Sequence, residues 1–84
     1  AQQRSNLARL EVGTRPEIIA QRQAAVTSAQ AREQEARDNL TRTTDLVKQG
    51  ALSQRVLVEV TSAVDEARGQ KLAAQAALAE AKAG

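Results

Sequence analysis

Arg42-Thr43-Thr44-Asp45-Leu46-Val47-Lys48-Gln49-Gly50-Ala51-Leu52-Ser53 separates two long Ala-rich stretches, and both of those read as helix. Lys48 falls in the last turn of the first helix, where a cation complements the negative end of the helix dipole. Gly50 follows at C′, the position that favours a left-handed backbone and therefore glycine. Ser53 is placed to cap the second helix, its side-chain oxygen accepting a free backbone N–H of the next turn. Leu52 before that cap and Leu57 after it have the spacing of a hydrophobic staple. The stretch therefore predicts the tight tip of an antiparallel helical hairpin.

Composition supports a rod over a ball. The 84 residues include no Phe, Trp, Tyr, Met or Cys, and the 42 % that are hydrophobic are mostly alanine. Burial stabilises in proportion to apolar area, and alanine offers little. Small side chains do let two helices approach closely along a narrow seam. Without cysteine there is no disulfide or thiolate metal site. No apolar run approaches the roughly 20 residues needed to span a bilayer. The opening Ala1-Gln2-Gln3-Arg4 has no apolar core of a signal peptide. Twelve Lys and Arg against ten Asp and Glu leave a net charge of +2, with the signs interspersed as on a solvated helix surface.

Working outward, the first long helix is expected over residues 15–48 and the second over 54–82, with 49–53 as the tip turn. Heptad spacing gives a seam of Ile19, Val26, Glu33, Leu40 and Val47, with Ala29 and Ala36 as companions. The returning seam is Leu57, Val64, Lys71 and Leu78, with Val60, Ala67, Ala74 and Ala81. Residues 1–12 predict a short helix of their own. A break over 13–17 follows, because Gly13 suits C′, Thr14 and Glu17 have capping-box spacing and Pro16 suits a first turn. The predicted class is all-α, an antiparallel two-helix coiled-coil hairpin with a short N-terminal helical segment. A tip centred near Gly50 and Ala51 sets Leu40 level with Thr61 and Glu33 level with Arg68, so a Glu33–Arg68 ion pair is expected.

Catalysis finds little support. With no histidine or cysteine, the commonest bases, nucleophiles and transition-metal ligands are missing. Glu33, Glu35 and Asp38 read as solubilising charges, and no Gly-rich phosphate loop occurs, so neither catalytic residue, cofactor nor metal is expected. Nucleic acid is the second class, since Arg4, Arg9, Arg15, Arg22, Arg32 and Arg37 have the means to follow phosphates, as in the tRNA-binding arm of seryl-tRNA synthetases. Acidic residues interrupt that series, and no aromatic residue offers a stacking platform. An inert spacer coil is the third reading.

A protein-docking patch is the first. Arg42 and Leu46 are four residues apart and share one helix face, Leu46 lies beside the seam, and Ser53 stands across the turn. The competing reading is structural: Leu46 seals the coil end, Arg42 is solvated and Ser53 only caps. Spacing alone leaves both open.

The Arg42, Leu46 and Ser53 spacing resembles the Arg–Leu–Ser tip motif of periplasmic adaptors, the hemolysin-D-type membrane fusion proteins. Lys48-Gln49-Gly50-Ala51-Leu52-Ser53, then Leu57 and Ala63, are also similar to that family, and Gly13-Thr14-Arg15-Pro16-Glu17 resembles a break common in adaptors of ABC-type exporters. The resemblance implies a hairpin that docks through its tip onto a TolC-type outer-membrane channel in a tripartite efflux or secretion system, without nucleic acid. It also implies a longer periplasmic protein anchored in the inner membrane. Lipoyl-like, β-barrel and membrane-proximal domains of that protein would meet an inner-membrane ABC-type transporter, and six copies would form a tube. One departure stands out: Val56-Leu57-Val58 replaces the Glu-Leu-Asp frequent after the serine in that family. Val58 is accordingly expected on a partner-facing or neighbour-facing surface.

Overall fold

The structure is a computed structural model that describes the backbone of residues 2–84 and the side chains of residues 15–84. Two helices account for it: α1, Gln2–Lys48, and α2, Gln54–Ala83. They run antiparallel and pack along one seam. The molecule measures 71 × 20 × 15 Å. At about 1.5 Å per residue, a helix as long as α1 by itself spans the long axis.

The seam follows the heptad pattern. Val26, Ala29 and Ala67 are buried, and so are the polar Glu33 and Thr43. Ile19, Ala36, Leu40 and Val47 on α1 are half-buried, as are Leu57, Val60, Val64, Lys71, Ala74, Leu78 and Ala81 on α2. None of the described side chains is fully enclosed. Two helices alone cannot surround a side chain, so the seam is a strip one residue deep. Thr43 extends the seven-residue spacing of Ala29 and Ala36. Its hydroxyl hid it from a search for apolar seam residues.

The expected break over 13–17 is absent. Gln2–Lys48 is one helix, and Pro16 lies inside it. The expected short separate helix over 1–12 is therefore corrected: from Gln2 onward the chain belongs to α1. Proline costs about 3 kcal/mol within a helix by losing one hydrogen bond and crowding the preceding turn, but its φ is itself helical. The helix continues through it without reversing direction. The side chain of Thr14, on which the capping-box expectation with Glu17 rested, lies outside those described.

At the base, Arg15 reaches across to α2, where Nη2 donates to the Lys82 carbonyl at 3.3 Å. That carbonyl is in the last turn of α2, where helix carbonyls lack intrahelical donors and a cation complements the dipole.

Candidate docking tip

The end of α1 closes by a paired backbone motif. The Gly50 N–H donates to the Val47 carbonyl at 3.0 Å, and the Ala51 N–H donates to the Leu46 carbonyl at 2.9 Å. Gly50 has φ +79°, the one positive value found among the described residues. These two bonds with a left-handed glycine at C′ define a Schellman closure, which satisfies two carbonyls that the helix end would otherwise leave free. Gly50 thus holds the position and conformation that its place in the sequence predicts.

Ser53 stands at the N-cap of α2 with extended backbone angles, φ −80° and ψ 160°, and its carbonyl accepts the Val56 N–H at 3.2 Å. Its hydroxyl makes no cap bond, however. The expected side-chain cap is therefore corrected: Ser53 has the backbone role without the side-chain one. The residue at N3 is Val56, so no acid reaches back to complete a reciprocal pair. The exposed hydroxyl remains available to solvent or a partner. Leu52 and Leu57 are both half-buried, in keeping with their staple spacing.

Arg42 is exposed one turn below Leu46. Among the described residues its guanidinium enters no ion pair; the three ion pairs found are Glu33–Arg37, Arg55–Glu59 and Glu33–Lys71. Leu46 is 39 % exposed, although it is a large apolar side chain at the edge of the seam. The structure thus gathers Arg42, Leu46, Gly50 and Ser53 at one end of the rod. Val58, 64 % exposed, lies on the outer side of α2 just beyond them. Leu72, 56 % exposed, is a second outward apolar residue that sequence reasoning passed over. Its fourteen-residue separation from Val58 keeps it at the same heptad position, which was the available signal.

The charged breaks in the two seams find each other. Lys71 Nζ donates to Glu33 Oε1 at 3.0 Å, and Arg37 Nε lies 3.5 Å from the same oxygen. The expected Glu33–Arg68 pair is corrected to Glu33–Lys71, about one turn farther along α2. Glu33 and Lys71 each interrupt an otherwise apolar series, and matching those interruptions would have identified the pair. The hydrogen bond from Lys71 holds the Glu33 carboxyl below the usual glutamate range, helped by the charges of Lys71, Arg37 and Arg68 and opposed by desolvation.

Three further observations bear on the competing classes. No group of His, Cys, Asp or Glu among the described residues is arranged to hold a metal ion. Arg15 and Arg37 are both engaged within the hairpin, which thins the basic series proposed to follow phosphates. No described helix is long and apolar enough to cross a membrane.

An antiparallel helical hairpin with an exposed tip is the class that the fold and the tip define. The model of the YBHG alpha-helical hairpin domain matches residues 1–84, so the chain belongs to that family, a hairpin of the membrane-fusion, adaptor type. Neither the curated proteins nor the solved structures yielded a match.

Proposed function

We propose that this chain is the hairpin of a periplasmic adaptor and docks tip-first onto a TolC-type outer-membrane channel in a tripartite efflux or secretion system. The observation that carries the proposal is the tip itself. A partly exposed Leu46, an Arg42 without an ion-pair partner among the described residues and a Ser53 hydroxyl without a cap bond meet at one end of a 71 Å rod. None of these three features is needed to close the turn, which the backbone bonds around Gly50 accomplish. The family match and the Arg–Leu–Ser spacing support the same reading.

In this reading Leu46 enters an apolar groove between channel helices. Arg42 donates to carbonyl or carboxylate oxygens on the groove wall, and the Ser53 hydroxyl exchanges a hydrogen bond across the turn. One small tip buries little area and binds weakly, whereas several hairpins held on a ring bind with avidity. The rest of the adaptor, anchored at the inner membrane and joined there to an ABC-type transporter, would supply that ring as a hexamer. The hairpin's own work is mechanical, spanning distance and presenting the tip.

Binding of the hairpin to a purified TolC-type channel, measured by surface plasmon resonance on a densely loaded surface, tests the proposal. Leu46→Ala, Arg42→Ala and Ser53→Ala should each weaken binding while helicity is unchanged. Losing a buried leucine side chain costs about 2 kcal/mol, so Leu46→Ala should weaken it at least tenfold. Binding indifferent to all three substitutions would overturn the proposal. A salt-sensitive complex with tRNA that ignores Leu46→Ala would favour the nucleic-acid reading instead.

A further inference from the structure

We infer that the Glu33–Lys71 pair is a register lock, the element that decides which residue of α2 faces which residue of α1. The two side chains meet across the seam at 3.0 Å, and Glu33 is only 7 % exposed. Continuing their register sets Ala36 level with Ala67 on the tip side and Ala29 level with Ala74 on the base side. The pair therefore sits between two all-alanine layers. Alanine layers have almost no shape to resist sliding, because one methyl group fits opposite another in any register.

The next layers outward match larger residues: Leu40 with Val64, and Val26 with Leu78. These are similar aliphatic side chains and discriminate weakly between registers. A slip of one heptad would set Glu33 against Val64 or Leu78 and strand Lys71 against Leu40 or Val26. Each strands a charge in the seam, where an unpaired ion is far more costly than a paired one. A slip of about one turn toward the tip would offer Glu33 the Arg68 guanidinium, but it would leave Lys71 without its carboxylate.

The arrangement around Glu33 has the features of a specificity device. Both cations address Oε1, and Oε2 is buried with no hydrogen-bond partner among the described residues. A pair selected for stability alone would satisfy both oxygens, and apolar residues of similar volume often stabilise more than a buried ion pair does. A single polar layer that specifies register at a cost in stability is a known use of polar seam residues in coiled coils.

Cysteine cross-linking tests this in the full chain, whose lack of native cysteine makes an introduced pair unambiguous. Ala29→Cys with Ala74→Cys reports the observed register. Val26→Cys with Ala74→Cys reports a slip of one turn, because a disulfide requires Cα atoms within about 7 Å. In the parent only the first pair should link. Replacing the lock by Glu33→Leu with Lys71→Leu should raise Tm and increase linking of the slipped pair several-fold. Adding Leu40→Glu and Val64→Lys to that double variant moves the lock one heptad and should restore linking to the first pair alone. Circular dichroism confirms that each variant remains helical. If the leucine variant links only in the observed register, the turn suffices and the inference fails. It fails equally if the relocated pair leaves slipped linking as high as in the leucine variant.

Discussion

Leu46 gives its carbonyl to the Ala51 N–H at 2.9 Å while leaving its side chain 39 % exposed. The residue proposed to enter the partner is thus also one that closes the turn. Its backbone is fixed by the Schellman motif, so the side chain is presented from a rigid position. Binding then costs less ordering than it would from an open loop.

Gly50 and Gly69 should respond to alanine in opposite directions. Apart from adjacent residues and the helix's own backbone, neither has a described atom within 4 Å of where a Cβ would stand, so packing does not decide the outcome. Gly50 has φ +79°, a conformation that costs an L-residue about 1–2 kcal/mol. Gly50→Ala should lower Tm, and Gly50→Asn should lower it less. Gly69 lies inside α2, where alanine is favoured over glycine by about 1 kcal/mol. Gly69→Ala should therefore raise Tm, and thermal denaturation followed at 222 nm checks both.

Ser53 separates stability from binding. Because its hydroxyl makes no cap bond, Ser53→Ala should change stability by less than the roughly 1 kcal/mol typical of losing an N-cap side chain. Channel binding should still weaken under the proposed function. Chemical denaturation and binding measured on the same variant would expose any failure of that separation, such as a full capping loss in stability.

Acid should loosen the seam at Glu33. Its carboxyl titrates below the usual value in the folded chain, held down first by the Lys71 hydrogen bond and then by the charges of Lys71, Arg37 and Arg68. A lowered folded value means that the contribution is complete above the unfolded glutamate value, about 4.3, and is lost as pH falls through the folded one. Tm should fall with acidification below about pH 4.3, and less steeply for Glu33→Gln than for the parent. Equal slopes for the two proteins would show that other carboxylates dominate.

Pro16 is the costliest residue within α1. Pro16→Ala restores one backbone donor and removes a penalty of about 3 kcal/mol, so helicity at the base of the hairpin should rise. Amide hydrogen exchange over residues 15–22 should slow. Unchanged exchange there would mean that the base is held by something other than local helix strength, with the Arg15–Lys82 bond the first alternative to examine.

Local rules made much of this protein legible. The turn at 49–53, the left-handed glycine and the seam residues on both helices follow from capping chemistry and a seven-residue period, and neither depends on contacts distant in the chain. The tip residues were legible for the same reason: Arg42, Leu46 and Ser53 are positioned by the ends of two helices. Pro16 shows where such rules mislead. A local break signal does not end the helix here, because the φ that proline fixes is itself helical.

What the sequence by itself determined is the pair of helices, their faces and the place where the chain turns back, because periodicity and caps act over one or two turns. Only the tertiary structure decided that Glu33 meets Lys71 and not Arg68, and that the Ser53 hydroxyl makes no cap bond. These depend on how many residues the turn consumes and how the two rods then align. A shift of a single helical turn, too small to alter any local pattern, changes every partner across the seam.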